Sequence, residues 1–212
     1  MIRRLAFVFS ILIAPGAPAA PLERDLGQGL GYVRLQNLPA DLPTDAGNHA
    51  QAWVVDLRYT AAEPAAAAAF AAWLKFRATP RAPVFVLMND DTAPALRSAL
   101  AAHAPARGVV VIGAASPRVR PDSAVTISKE DERRAFDALT EGTAVEALLA
   151  DNPGKLRNDE ASLTKGQSRD LPAMPSEMPA DAPSAKRTTP PVDVALQRAV
   201  HLHRSLMALK RL

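Results

Sequence analysis

The sequence predicts an α/β domain with a mostly parallel sheet, on three observations. Continuous apolar runs at Ala52-Trp53-Val54-Val55-Asp56-Leu57, Val84-Phe85-Val86-Leu87-Met88 and Gly108-Val109-Val110-Val111-Ile112-Gly113 have the make-up of strands covered on both faces. Helical patterns separate them. An alanine tract leads to Phe70, Trp73 and Leu74, and a second segment carries Leu96 and Leu100 on one face. Strand, helix, strand, helix, strand is the order of crossover units.

The remaining elements follow in chain order. Leu26 to Pro39 reads as strand, with a turn at Gly27-Gln28-Gly29 and alternation over Gly31-Tyr32-Val33-Arg34-Leu35 before Pro39 ends the run. Pro39 to His49 is polar and proline-punctuated, hence a loop. Thr60 and Glu63 stand in capping-box spacing ahead of the alanine helix, which Thr79-Pro80 stops. Asn89-Asp90-Asp91-Thr92 is a turn, and a helix runs from Ala93 to His103. Ala124-Val125-Thr126-Ile127 is a shorter strand. Ser128 and Asp131 open a helix to about Leu139, and Thr143 with Glu146 opens another through Leu149.

Outside this core the chain changes character. Met1-Ile2-Arg3-Arg4 is a basic head, Leu5 to Ile13 is apolar except for Ser10, and Ala17-Pro18-Ala19 offers the small residues a signal peptidase reads. The apolar run is far short of the ~20 residues that cross a bilayer, so a cleaved signal peptide is expected rather than an anchor. From Asp151 prolines recur among Ala, Ser, Thr and charges without periodicity, the composition of an extended linker. The expected organisation is a signal peptide over 1–19, an α/β core over 20–151, a proline-rich linker over 152–191 and an amphipathic helix over 192–212. In that helix Ala195, Ala199, Leu202, Leu206 and Leu209 form the apolar stripe, opposite Gln197, His201, Arg204 and Arg211.

Composition narrows the function classes. The formal charge of +3 falls to about +1 once Arg3 and Arg4 are removed, which gives nucleic-acid binding no electrostatic support. With no cysteine, disulfides, thiolate chemistry and cysteine-based metal sites are excluded. The alanine-rich, cysteine-free chain fits an exported protein of a bacterial periplasm or secreted space. Neither cofactor nor metal is expected, and no membrane span after cleavage.

Polar residues that could carry chemistry have structural readings beside them. Asp90 and Asp91 are expected to cap the helix near Ala93, where negative charge meets the helix dipole. Ser98 reads as a small polar filler within a helix, and Ser116 lies in a bend before Pro117. His201 and His203, two apart on a helix, point to different faces and so make no metal pair. Gly27-x-Gly29-x-Gly31 precedes a strand, whereas a phosphate cradle needs a helix N-terminus after the loop.

The order Gly31-Tyr32-Val33-Arg34-Leu35, Val54-Val55-Asp56-Leu57-Arg58, Pro83-Val84-Phe85-Val86-Leu87-Met88-Asn89, Asp91-Thr92-Ala93 and Val111-Ile112-Gly113 resembles the core of the C-terminal processing (tail-specific) serine peptidases. The closing Asp193-Val194-Ala195-Leu196-Gln197-Arg198-Ala199 is similar to that family's terminal helix. The likeness covers about half the mature chain and implies a crotonase-like ββα superhelix, with Asp56, Leu57 and Arg58 as a structural motif. It also implies a serine nucleophile, a lysine base and an amide-lined oxyanion site. On the same likeness Pro94 stands at the nucleophile position, and Arg118 and Val119 stand where the lysine belongs; a guanidinium stays protonated and is no base. Tyr59-Thr60-Ala61-Ala62-Glu63 lacks the glycine pair that bends the backbone toward the oxyanion, and the family's peptide-binding PDZ module is absent.

These readings lead to no catalytic residues, and to a non-catalytic exported binding or scaffold protein. A protein or peptide partner, or self-association through the terminal helix, is its expected contact. The alternatives are a hydrolase or other enzyme using the same fold with different residues, and an unrelated parallel α/β domain.

Overall fold

The computed structural model describes residues 21–43, 51–103, 108–149 and 191–212. The signal segment, most of the proline-rich linker and His49 lie outside the described residues. One six-stranded sheet runs through the chain in sequential order: β1 (Leu22–Asp25), β2 (Leu30–Arg34), β3 (Ala52–Asp56), β4 (Val84–Leu87), β5 (Val109–Ala114) and β6 (Ser123–Val125). β1 is antiparallel to β2; every other pairing is parallel. The helices are α1 (Pro64–Arg77), α2 (Pro94–His103), α3 (Lys129–Thr140), α4 (Val145–Leu149) and α5 (Val194–Ala208).

Sequential order has a consequence for the two faces. Right-handed crossovers between strands added in one direction all fall on the same side of the sheet. α1 and α2 accordingly share one face, where Phe70, Leu74, Leu96 and Leu100 pack on Val33, Val55, Val84 and Val86. The opposite face would be bare apolar surface. It is covered by the end of α3, by α4 and by α5, whose Leu139, Leu148, Leu196 and Val200 pack on Tyr32, Val54, Phe85 and Ile112. The terminal helix is therefore part of the core, and the first half of its apolar stripe is covered by this chain's own sheet.

Several expectations are corrected. The first strand lies at Leu22–Asp25, within the expected core but ahead of its first expected strand, and the expected Leu26–Pro39 strand shrinks to β2 beyond a hairpin. Gly27, Gln28 and Gly29 all have positive φ there, which turns the chain sharply between antiparallel strands. β2 alternates in which face its side chains take but not in burial, because all five residues are covered. Thr60 does not cap α1. The helix starts at Pro64, whose fixed φ suits a first turn, and the Thr60 hydroxyl instead donates to the Leu35 carbonyl at 2.6 Å. The expected stripe of α5 holds at Ala195 and Ala199, both buried, and at Leu202 and Leu206, part-buried against the core; it extends to Leu196, Val200 and His203 and fails at Leu209, which is 69% exposed.

The capping reading of α3 is met: the Ser128 hydroxyl accepts from the Asp131 amide at 3.1 Å. Gly113 in β5 has a positional reason too. A Cβ there would lie 2.1 Å from the Met88 carbonyl oxygen, so the neighbouring strand's backbone occupies the space of a side chain.

Candidate functional site

In open parallel sheets, ligands bind beyond the carboxyl ends of the strands, so that edge is the place to look. The period of two along a strand sorts its residues. Tyr32 and Arg34 of β2, Asp56 at the end of β3, Arg58 just past it and Asn89 past β4 share the parity of Leu30, Val54 and Leu87. They project on the face that α3 and α5 cover. Parallel register sets Arg34 beside Asp56.

Together they form a closed polar network. The Arg58 guanidinium donates to both Asp56 oxygens, at 2.9 and 2.7 Å, and to both oxygens of Asp193, at 3.1 and 2.8 Å. Asp56 also accepts from the Arg58 amide and from the Tyr32 hydroxyl. Arg34 donates to Tyr32, to the Thr140 hydroxyl and to the Phe136 carbonyl, with its guanidinium 3.6 Å from the Phe136 ring centroid. Arg58 and Asp56 are fully buried, as is Asp193, which caps α5 by accepting from the Leu196 amide. Buried charges of this kind persist only when paired and saturated with hydrogen bonds, which is the case here.

The electrostatics follow from that pairing. Burial alone would raise the Asp56 carboxyl; the Arg58 charge and hydrogen bonds, then Arg34 and the Tyr32 hydroxyl, reverse this and hold it below the usual carboxylate range. Burial would discharge Arg58, but Asp193 and Asp56 keep it firmly protonated. Tyr32 is raised well above an ordinary phenol, by burial first and the Asp56 charge second. None of these groups is set to exchange a proton near neutral pH.

At the rim of the network sit Glu132 and Tyr59. Glu132 of α3 is 4% exposed; its Oε2 accepts from Asn89 at 3.1 Å, while its Oε1 has no partner among the described residues. Burial raises its carboxyl above the usual range against the pull of Arg58. Tyr59 has φ 60, a left-handed conformation that non-glycine residues seldom adopt. The segment that lacks the glycine pair thus turns through a left-handed residue at Tyr59. The Tyr59 ring meets Phe136 edge-on at 4.8 Å and lies under Arg133 at 4.7 Å, contacts that hold the strained residue in place. Burial, reinforced by the Glu132 charge, pushes its hydroxyl up to about 12.

The residues singled out from sequence are placed as follows. Asp56 and Arg58 form the centre of the network, and Leu57 points to the other face, into the core under α1 and α2. Pro94 is the exposed first residue of α2, after β4. Arg118 is exposed on the loop between β5 and β6, and Val119 is buried against the α1–α2 side. Ser98 is exposed on α2. Asp90 does not cap α2: it accepts from the Ser116 hydroxyl and faces Lys129 Nζ at 3.8 Å, while Asn89 and Thr92 close the turn that leads into the helix. Ser116 also accepts from the amides of Arg118 and Val119, which pins its hydroxyl in a turn. His201 is exposed and His203 is buried with Nε2 3.0 Å from the Gln28 carbonyl oxygen, on different faces as expected. Among the described residues there is no group of three or more His, Cys, Asp or Glu that could hold a metal ion, and no helix long and apolar enough to cross a membrane.

Arg34, Glu132 and Tyr59 were not among the residues singled out. A charged residue inside a run otherwise buried on both faces is the signal that marks Arg34. No sequence signal marks Glu132 or the backbone of Tyr59. Compared with protein-family models and with curated proteins, the chain matches none.

Proposed function

We propose that this chain is a non-catalytic exported binding or scaffold protein, built on a core like that of the tail-specific serine peptidases. The crotonase-like superhelix is the finer form of the fold in that reading, and the sequential, mostly parallel sheet supports it. One observation carries the proposal. The strand-end region where an α/β domain offers reactive groups is filled by Arg58 and its two carboxylates, all buried and all saturated. After β4, the first residue of α2 is a proline. A buried ion network whose charged atoms are partnered with one another stabilises a fold rather than presenting a reactive group.

A second reading keeps enzymatic chemistry, and one observation favours it: Asp90 gathers the Ser116 hydroxyl and the Lys129 ammonium onto one carboxylate. Purified protein incubated with a fluorophosphonate probe and with unfolded protein substrate tests the two readings. No labelling and no turnover are expected. Labelling or cleavage that Ser116→Ala abolishes would overturn the proposal in favour of the second reading.

A further inference from the structure

The last turns of α5 are unlike its first. Residues 194–203 lie on the sheet, whereas Arg204, Ser205, Met207, Ala208, Leu209, Lys210 and Arg211 are all exposed. Leu206 alone of this end stays packed against the core. Residues 194–211 contain four Lys and Arg and no acidic residue. Arg198, Arg204, Lys210 and Arg211 make no ion pair among the described residues. Arg81, on the loop before β4, lines a cleft with Met207 and extends the cationic surface from a second element. The same tip carries two of the three large apolar side chains exposed among the described residues, Met207 at 42% and Leu209 at 69%.

Projecting apolar side chains ringed by unpaired cations fit a surface that is negatively charged outside and apolar just beneath. We propose that the exposed end of α5 is a docking tip for an anionic phospholipid surface, entered end-on: Met207 and Leu209, two apart and so on different sides of the last turn, reach the headgroup boundary while Arg81, Arg204, Lys210 and Arg211 meet phosphates. A fluid surface asks for no shaped pocket, only exposed apolar side chains among cations. Glu146 of α4, across a groove from His201 and Arg204, is the one carboxylate among that groove's lining residues, and it faces only the Arg204 side of the tip. This goes beyond the binding role proposed above and does not depend on it.

Co-sedimentation of the full chain with vesicles of phosphatidylcholine alone, and of phosphatidylcholine mixed with phosphatidylglycerol, tests the tip. Binding is expected on the mixed vesicles, at least about tenfold weaker on the neutral ones, and weakened by added salt. Each cation removed is expected to weaken it about fivefold, so Arg204→Gln, Lys210→Gln and Arg211→Gln together weaken it by roughly a hundredfold. Met207→Ser with Leu209→Ser weakens binding at unchanged charge. These side chains are exposed, so the variants keep the parent's thermal midpoint, which controls for folding. Equal binding to both vesicle types, no binding to either, or a triple variant that binds like the parent would overturn the proposal. So would tighter capture by a polyglutamate peptide than by anionic vesicles, which would assign the tip to an acidic protein.

Discussion

Arg58, just past β3, and Asp193, at the head of α5, lie 135 positions apart and are joined by two hydrogen bonds of 3.1 and 2.8 Å between fully buried side chains. One pair thus fixes the terminal helix against the face of the sheet that the crossover helices leave open. The Asp193 amide adds a hydrogen bond to the Leu148 carbonyl at 3.0 Å, so α4 is tied in at the same point. Arg58→Met is expected to leave two buried carboxylates without their cation and to destabilise the fold by about 3–5 kcal/mol. Urea denaturation followed by circular dichroism measures this.

Removal of residues 193–212 uncovers the Tyr32, Val54, Phe85 and Ile112 side of the sheet. A contiguous apolar face of that size is not tolerated in water. The truncated protein is expected to be aggregated or to bind a hydrophobic dye strongly, whereas Leu209→Ser alone leaves solubility unchanged. Light scattering and dye fluorescence distinguish the outcomes.

Two carboxylates give stability opposite dependences on pH. Asp56 is lowered in the folded state, so its contribution is complete above its unfolded value of about 4 and is lost as pH falls through the lower folded value. Glu132 is raised, so the folded protein holds a proton that the unfolded chain releases, and stability declines as pH rises from about 4.5 through the raised value. Glu132→Gln keeps an acceptor for Asn89 and removes the buried charge. It is expected to raise the midpoint at pH 7 and to have no such benefit below about pH 4. Denaturation midpoints across this range provide the check, and a midpoint for Glu132→Gln that is lower at neutral pH than in acid, relative to the parent, would refute the assignment.

Two backbone positions give changes of opposite sign. Gly113→Ala drives a methyl onto the Met88 carbonyl and is expected to cost about 1–3 kcal/mol. Gln28→Gly relieves a left-handed residue at φ 55 in an exposed hairpin, where the His203 contact is to the backbone and survives. A gain of about 0.5–1 kcal/mol is expected there. Thermal scans of the two variants would show shifts in opposite directions.

The strands were legible because large apolar residues run without interruption at 54–55, 84–87 and 109–112, and such runs can be stable only under cover on both sides. The helices were legible from their spacing, and their ends less so: Pro64 rather than Thr60 starts α1, since a fixed φ at the first turn outweighed a capping pattern whose hydroxyl found the Leu35 carbonyl. β1 escaped notice because Leu22-Glu23-Arg24-Asp25 carries charges along its exposed length, the usual disguise of an edge strand. Within the site, Asp56 and Arg58 could be paired by proximity alone. Asp193 could not, because its role depends on where α5 lands, and the left-handed Tyr59 depends on contacts with Phe136 and Arg133 from another element.

A double-mutant cycle on Arg58→Met and Asp193→Asn, read by urea denaturation with Arg58→Lys as the conservative reference, bears most directly on whether the strand-end network is a brace for the fold. The expected result is strong non-additivity, a coupling of at least about 1–3 kcal/mol, with Arg58→Lys well short of the parent because an ammonium cannot reproduce the forked contacts. Effects that add to within about 0.5 kcal/mol, or an Arg58→Met protein as stable as the parent, would contradict it.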